Sequence, residues 1–367
     1  MEDEATNQTG NRDNQTAFEV SGPGLEILEQ IMPILTAVFF STILFIGTFG
    51  VIGNILNLLV YARLGFSETI HMSFAALAVS DLCCVINLVW TFFCVTPELL
   101  ALFACHGLRV DPTQLSNFTG GWPHMAFSRT TAFLTSWISL ERCLCVILPT
   151  KVKVIITRKV TRIVLTAIFI IGCCPVVLAY IDLKFKWILD PASNITTLNM
   201  YYDFEGNENI FNGLAILLYG AIYPVCSWIV VTVCTTFLIV KLRRSVKWRK
   251  ANATATTTTT NTADRDFPIN QRNASNRENR ATKTIVMIAC FVIVFSFPIS
   301  ANNLTALVLR KEYSPYGSLW SLFRLNSGIG MLFSEINSSA NIIFYISTGS
   351  RFRSVLLQMF SSKCIKN

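Results

Sequence analysis

Charged residues are scarce in this chain of 367 residues. Asp, Glu, Lys and Arg together make up 14% of the sequence, whereas hydrophobic residues make up 52% and the mean hydropathy is +0.50. A soluble domain carries roughly 25% charged residues. The chain therefore lacks the charge that a water-facing surface needs, and we expect lipid to surround it.

Histidine is also rare, and the three that occur, His71, His106 and His124, lie far apart in the sequence. Metal-ligand spacing, glycine-rich phosphate loops and Ser/His/Asp arrangements are absent as well. The sequence thus argues against an enzyme. The twelve cysteines do not indicate a disulfide scaffold, because most lie inside apolar runs, where cysteine is a small core side chain.

Long apolar runs are what the sequence has in abundance. A helix needs about 20 apolar residues to cross the hydrocarbon core of a bilayer, and seven runs reach that length. The sequence therefore predicts an all-α membrane protein built as a bundle of seven transmembrane helices. The predicted spans one to seven cover residues 32–61, 72–97, 122–148, 162–181, 210–241, 283–309 and 319–347.

The segments outside the seven-helix domain, residues 32–347, are polar or amphipathic. Residues 1–31 form an acidic tail without an apolar signal peptide, so we expect the first span to insert by itself. Residues 245–280, within the domain, are low in complexity and are predicted to be a disordered loop. Residues 348–367 begin with a short amphipathic helix at the membrane surface and end in a tail. Cys364 in that tail is a candidate for palmitoylation, with a plain free thiol as the alternative.

Lysine and arginine gather after spans three and five and in the carboxyl-terminal tail. Because positively charged loops stay in the cytoplasm, we expect a multi-pass plasma-membrane protein with its amino terminus outside and its carboxyl terminus inside. Four sequons then lie outside as candidate glycosylation sites, at Asn7, Asn14, Asn117 and Asn194. The basic residues flank membrane spans, which argues against a nucleic-acid partner.

Four charged residues fall inside the predicted spans: Asp81, Arg129, Arg142 and Glu335. A charge at the centre of a bilayer costs about 2.5–3.5 kcal/mol on insertion scales, so each one needs a reason. Asp81 could be an inert hydrogen-bonded carboxylate, and Arg142 could anchor the end of its helix at the interface. Arg129 and Glu335 have opposite charges, so we expect them to pair across spans three and seven. Separate contacts with water or backbone are the alternative.

Several short motifs occur in order, each on its own span. They are Gly53-Asn54 in span one, Leu77-Ala78 with Asp81 in span two, Glu141-Arg142-Cys143 at the end of span three, Pro224 in span five, Pro298 in span six and Asn341 to Tyr345 in span seven. Together they resemble the rhodopsin-like G-protein-coupled receptors. The opening of span three, Gly121-Trp122-Pro123-His124, looks like the invertebrate chemosensory and peptide-receptor branches.

The resemblance implies a role for the end of span three in coupling. Glu141 would pair with Arg142 at rest, and activation would release Arg142 to meet the carboxyl-terminal helix of a heterotrimeric G protein. Cys143 stands in place of the tyrosine that usually follows this arginine. Pro224 and Pro298 match the prolines that kink spans five and six.

In span seven, Asn341 and Tyr345 match the ends of the Asn-Pro-x-x-Tyr motif, which takes part in the same switch. Ile342 stands where the family has proline. Because proline kinks a helix by removing a backbone hydrogen bond, span seven is expected to be straighter here.

Asp81 also matches the sodium-binding acid of the family. Residues that fall where its oxygen partners would lie are Thr131, Asn337, Ser338 and Asn341. Hard oxygen ligands suit a hard cation, so the resemblance implies a sodium site, with a water-filled polar cluster as the alternative. No other cofactor is expected.

The candidate ligand pocket differs from two well-known branches. His124 stands where amine receptors carry an aspartate, and Glu335 stands near the place of the retinal-binding lysine of opsins. Both classes are therefore disfavoured. Arg129 and Ser296, which replaces the usual tryptophan of span six, complete the pocket candidates. An anionic ligand group would bind Arg129, as in peptides with free carboxylates or amino-acid-like cues.

The second outer loop lacks the cysteine that normally ties it to span three, because residues 181–209 contain none. That loop must be held in another way. Alternating aromatic residues in Lys184–Leu189 and Asn199–Phe204 flank Pro191–Asn194 and suggest a hairpin lid. A coiled loop is the alternative.

These expectations describe a receptor that passes the binding of an extracellular ligand, a peptide or a small chemosensory cue, to a heterotrimeric G protein by helix rearrangement. The alternative is a seven-helix ligand-gated channel or transporter. Insect-type olfactory channels place their amino terminus inside, against the charge distribution here, and transporters usually show internal repeats, which this sequence lacks.

Overall fold

A computed structural model of the chain describes residues 23–106, 109–148, 150–190, 195–201, 210–258, 269–309, 312–314 and 317–361. Within these ranges, six helical segments are long and apolar enough to cross a membrane. They match predicted spans one to six. The seventh predicted span is helical too, but it is divided and carries Arg324, Glu335 and many serine and asparagine residues.

The first half of the chain supplies spans one to four. Its helices are α1 (Pro23–Leu64), α2 (Thr69–Phe93), α3 (Pro97–Cys105), α4 (Pro112–Ser116), α5 (Trp122–Ile147), α6 (Val152–Ile155) and α7 (Arg158–Ile181). A π-helical turn, Asn117–Gly121, joins α4 to α5, so span three is one helical segment. The short helices α3 and α4 were not predicted from the sequence.

The second half begins with a β-hairpin and supplies spans five to seven. Its elements are β1 (Lys184–Asp190), β2 (Ile195–Tyr201), α8 (Ile210–Leu217), a π-helical turn (Leu218–Ile222), α9 (Tyr223–Thr258), α10 (Ile269–Val308), α11 (Trp320–Ser339), α12 (Asn341–Thr348) and α13 (Ser350–Ser361). Helix α8, the turn and α9 form span five, α10 forms span six, and α11 with α12 forms span seven.

Local sequence explains where several helices begin and end. Helix α1 stops because Gly65 adopts a φ of +77°, which glycine tolerates, and its N–H bonds the carbonyl of Tyr61 at 3.1 Å. Asp111 caps α4 by accepting a hydrogen bond from the Thr113 N–H, and Thr157 caps α7 in the same way. The bundle end that carries the basic segments is called the inner end below.

Aromatic side chains fix the amphipathic helix α13 to the inner end of the bundle. Phe352 is 3% exposed and its ring lies 5.6 Å from that of Tyr61 and 5.5 Å from that of Tyr345. Other apolar side chains of α13, such as Leu357 and Phe360, are exposed, which suits a helix lying on the membrane. The sequence predicted this helix, and the structure has it.

Span seven, which the sequence led us to expect to be straighter, is interrupted at Ala340, between α11 and α12. The cause is a side chain from span one. Asn54 Nδ2 donates to the carbonyl oxygen of Ser338 at 2.9 Å, and that carbonyl would otherwise serve the helix four residues on. A hydrogen bond from outside thus does what proline does in other chains.

The sequence predicted the segment 245–280 to be disordered, but a helix extends into it from each end. Helix α9 extends to Thr258 and α10 begins at Ile269. Residues 259–268 lie outside the described part, where the prediction of disorder stays a prediction.

The predicted hairpin is present in the second outer loop. Strands β1 and β2 pair antiparallel, with Lys184 opposite Tyr201 and Asp190 opposite Ile195. The described cysteines form no disulfide, and hydrogen bonds hold the hairpin to span three and to the residues just before it. The N–H of Met200 donates to Gln114 Oε1 at 2.5 Å, and the N–H of Leu198 donates to the Arg109 carbonyl at 2.6 Å.

Candidate functional site

At the inner end of α5, Glu141 and Arg142 do not form the ion pair that the resemblance implied. Glu141 is buried and accepts hydrogen bonds from two hydroxyls of α2, Thr69 Oγ1 at 2.5 Å and Ser73 Oγ at 3.2 Å. Arg142 is half-buried and its Nε has no hydrogen-bond partner. The expected pairing is wrong because two hydroxyls on span two satisfy the acid first.

The other coupling candidates lie close to the same end. Tyr345 is buried, and its ring packs 5.0 Å from Phe74 and 5.5 Å from Tyr61, while its hydroxyl has no partner. Cys143 is buried beside Cys234 of span five. Asn341 lies one helical turn from Tyr345 and belongs to the acid cluster of span two.

A cluster around Asp81 joins spans two, three and seven in the middle of the bundle. Its carboxylate is fully buried, with Oδ1 accepting from Thr131 Oγ1 at 2.8 Å and Oδ2 accepting from Asn341 Nδ2 at 2.6 Å. Ser338 lies beside the same carboxylate. Asn337, the residue before Ser338, is buried, and its amide oxygen has no hydrogen-bond partner. The structure therefore brings together four of the five residues predicted for a sodium site.

Above this cluster, towards the outer end, lie the ligand-pocket candidates. His124 is 3% exposed, and its Nδ1 lies 3.3 Å from the Cys84 sulfur and 3.1 Å from the Cys84 carbonyl oxygen. Its Nε2 has no partner. Arg129 is 2% exposed and donates from Nη1 to Ser300 Oγ at 3.2 Å, while its Nε is unpartnered.

Glu335 is completely buried, and neither of its carboxylate oxygens has a hydrogen-bond partner. The predicted ion pair between Arg129 and Glu335 is therefore absent, and that prediction is wrong. The two side chains turn to different neighbours: the arginine reaches Ser300 on span six, whereas Glu335 Oε1 lies against Gly47 on span one.

A comparison with protein families decides the class of this bundle. A family model described as Serpentine type 7TM GPCR chemoreceptor Srw matches residues 40–363. The chain belongs to this family. It is thus a multi-pass membrane protein and a receptor of the seven-transmembrane chemosensory type, as the sequence predicted. A comparison with curated proteins finds no match.

Family membership tests the predicted receptor class and branch, but not the individual site residues. The family is one of chemoreceptors and not of enzymes. The invertebrate chemosensory branch is confirmed, whereas the rhodopsin-like assignment stays a prediction. In the part of the chain that the structure describes, no group of three or more His, Cys, Asp or Glu side chains is arranged to hold a metal ion.

The structure of this chemoreceptor adds residues that the sequence reading missed. Trp228 of span five donates from Nε1 to Ser296 Oγ at 2.9 Å, so an indole still contacts the place where the family usually has tryptophan. Tyr313, in the third outer loop, is buried, donates to Asn302 Oδ1 at 2.5 Å and accepts from Asn326 Nδ2 at 2.8 Å. A lone tryptophan within an apolar span was the available signal, because its N–H needs a partner.

Of the remaining predicted site residues, only some lie in the part of the chain that the structure describes. Pro298 lies inside α10, and Pro224 is the second residue of α9, directly after the π-helical turn. Asn117 is exposed at the start of its π-helical turn. Asn7, Asn14, Asn194 and Cys364 lie outside the described residues.

Proposed function

We propose that this chemoreceptor passes the binding of an extracellular ligand to a heterotrimeric G protein at its inner end. The observation that carries the proposal is the state of Arg142. This arginine lies in the last two turns of span three and has an unpartnered Nε, while the neighbouring acid accepts hydrogen bonds from Thr69 and Ser73. Among the described residues no carboxylate pairs with this half-buried guanidinium, which suits an incoming carbonyl or carboxylate group of a cytoplasmic protein.

The mechanism is a shift between two arrangements of the bundle. A ligand shifts such an equilibrium only by its difference in affinity for the two states. Span six links the candidate ligand pocket to the neighbouring spans. Its Ser300 accepts a hydrogen bond from Arg129 of span three, and its Ser296 accepts one from Trp228 of span five. A ligand that changes these contacts changes the position of α10, which runs to the inner end.

Coupling is tested in cells that express G-protein biosensors and are exposed to a chemical library. Once an agonist is found, Arg142→Ala should abolish its response at equal surface level. Lys159→Ala is the matched control, because it removes an exposed positive charge from the same end and should leave the response intact. Equal responses of wild type and Arg142→Ala would refute the role of this arginine.

The hydroxyl contacts of Glu141 give a second test. Glu141→Gln weakens the hold of Thr69 and Ser73 on the inner end of span three, so we expect basal G-protein activity to rise severalfold. The double change Thr69→Val with Ser73→Ala should have the same effect, because it removes the same hydrogen bonds from the other side. Unchanged basal activity in both variants would show that these contacts do not restrain coupling.

A sodium ion at Asp81 is part of the same proposal. The carboxylate, the Thr131 and Ser338 hydroxyls and the unpartnered oxygen of Asn337 form a set of hard oxygen donors. These residues would hold the ion, whose charge would compensate the buried acid. Agonist affinity should fall as sodium replaces choline in the buffer, and Asp81→Asn should remove that dependence. A wild-type receptor that does not respond to sodium would leave Asp81 a structural group.

Membrane orientation follows from the positions of the basic segments. We expect an epitope label before residue 1 to bind antibody in intact cells and a label after residue 367 to bind only after permeabilisation. The opposite pattern would exclude G-protein coupling at the end that carries Arg142.

A further inference from the structure

A groove of about 600 Å³ opens on the outer surface of the bundle, near its inner end. Spans one, two and four form its walls, with Leu58, Ala76 and Leu165 among the lining side chains. Its volume falls within the range of ligand pockets, about 300–1,000 Å³. Neither the Asp81 cluster nor the ligand-pocket candidates line this groove, so it is separate from the sites described above.

One face of α2 forms the floor of the groove. Met72, Ala75, Ala76 and Val79 line it, and their spacing of three, four and seven residues places them on one side of a helix. Two of these four residues are alanines, whose short side chains leave the space between spans one and four open. The first three are half-buried and Val79 is 41% exposed, so the floor is accessible from outside the bundle.

The surface beside the groove is apolar and exposed. Ile55 and Leu59, on either side of Leu58 in span one, are 42% and 47% exposed, and Ile163 in span four is 59% exposed. In a membrane protein such side chains face lipid acyl chains, which are as apolar as leucine. The groove therefore opens to the bilayer.

Two arginines line the groove at its inner end. Arg158 and Arg162 lie one turn apart at the beginning of α7, and Arg162 Nε donates to the Arg158 carbonyl oxygen at 3.4 Å. Both side chains are exposed. No acidic side chain lines the groove, and within the described ranges no carboxylate lies at ion-pair distance from either arginine. Two positive charges thus stand beside an apolar floor that continues towards the centre of the bilayer.

We propose that the groove binds an anionic phospholipid of the inner leaflet, with its phosphate on Arg158 and Arg162 and an acyl chain along Ala76 and Leu165. Guanidinium groups bind phosphate oxygens in a bidentate manner, and basic pockets between spans on the cytoplasmic side suit anionic headgroups. A lipid with a choline headgroup would bring a third positive charge to this place, so a net negative headgroup is favoured. The inference requires insertion with the inner end in the cytoplasm, but no G-protein coupling.

The first test uses the purified full-length receptor in neutral detergent and no G protein, so its outcome is independent of coupling. Thermal unfolding is measured with added dioleoyl phosphatidylserine, dioleoyl phosphatidylglycerol or dioleoyl phosphatidylcholine, and with glycerophosphoserine, which has a headgroup but no acyl chains. We expect the two anionic lipids to raise the unfolding temperature by about 2–5 °C, as saturating binding does, and the other two compounds to have little effect. Equal stabilisation by phosphatidylcholine, or by glycerophosphoserine, would overturn the proposal, as would failure of both anionic lipids.

Charge variants then locate the headgroup. Arg158→Gln and Arg162→Gln should each weaken binding of phosphatidylserine about 10-fold, the effect of one charge-assisted hydrogen bond, and the double variant should no longer distinguish phosphatidylserine from phosphatidylcholine. Lys159→Gln is the matched control, because it removes an exposed positive charge between the two arginines in sequence from a side chain that does not line the groove. Unchanged lipid selectivity in the double variant would place the anionic lipid elsewhere.

A size variant locates the acyl chain without changing any charge. Ala76→Phe occupies the floor of the groove and should abolish the stabilisation by phosphatidylserine. Ile163→Phe is its control, since it adds bulk to an exposed side chain beside the groove and should bind normally. Normal binding by Ala76→Phe would contradict the proposal. The unfolding temperature without added lipid shows whether each variant folds, and if one does not, the comparison of the four compounds on the wild-type receptor still decides the question.

Discussion

Asp81 and Glu335 are two acids buried in the same bundle, and their surroundings are opposite. Asp81 accepts hydrogen bonds on both oxygens, from Thr131 on span three and Asn341 on span seven. Glu335 accepts none, although it is equally inaccessible to solvent. The first acid ties three spans together, whereas the second contributes nothing to stability from its charge.

The contrast divides the polar interior into two groups of residues that differ in their hydrogen bonding. Around Asp81 the protein supplies its own hydrogen bonds, so this group is structural and suits a small ion. Around Glu335, Arg129 and His124, buried polar atoms have no hydrogen-bond partner among the described residues. The two groups are close along the chain, since Arg129 lies two residues before Thr131 and Glu335 three residues before Ser338, less than one helical turn in each case.

The sharpest test of this contrast compares two matched amide substitutions. Asp81→Asn should destabilise the unliganded receptor by about 3 kcal/mol, because an amide nitrogen must then face one of two existing donors. Glu335→Gln should leave the stability unchanged or raise it, because it removes an unpaired buried acid. Unfolding temperatures of both variants in the same detergent check the prediction. Equal losses would show that the two groups are alike.

The space around Glu335 offers a second test. A Cβ atom on Gly47 would lie 2.5 Å from Val89 Cγ2 and 2.7 Å from Glu335 Oε1, so Gly47→Ala should destabilise the receptor by about 2 kcal/mol. Adding Glu335→Ala should relieve part of that loss. Gly24→Ala is the control, since nothing lies within 4 Å of its added atom and it should be neutral or slightly stabilising. A harmless Gly47→Ala would mean that the acid can move away.

A third test, with smaller expected losses of stability, compares the Thr131–Asp81 hydrogen bond with the Ser128–Ser334 contact. Thr131→Val removes the hydroxyl that serves Asp81 and should cost about 1 kcal/mol. Ser128→Ala removes only a long 3.4 Å contact to Ser334 and should cost less than half of that. Unfolding temperatures again provide the measurement. A larger loss for Ser128→Ala would contradict the division into two groups.

Much of the fold was predictable because its signals are local. Apolar length gave the positions of the spans, alternating aromatic residues gave the hairpin, and charge at helical spacing gave α13. The Asp81 cluster was predicted too, through motifs on three different spans. Each of these signals either lies within one segment or belongs to a pattern whose members have fixed helical positions.

The predictions that failed concern choices between partners. Sequence placed Arg129 and Glu335 at similar depth, but it did not show that the arginine turns to Ser300. Likewise, the hydroxyls of Thr69 and Ser73 outcompete Arg142 for Glu141. The break at Ala340 comes from Asn54, far away in the sequence. Rotation about a helix axis and competition from small hydroxyl residues decide such contacts, and neither is visible in a single sequence.

The attachment of the hairpin to span three has a practical consequence. Gln114 holds Met200 through a hydrogen bond, in a place where related receptors rely on a covalent link. Thiol reagents that would dismantle such receptors therefore have no bond to cut there. The described hairpin residues are therefore held there by hydrogen bonds such as those from Met200 to Gln114 and from Leu198 to Arg109, and not by a covalent bond.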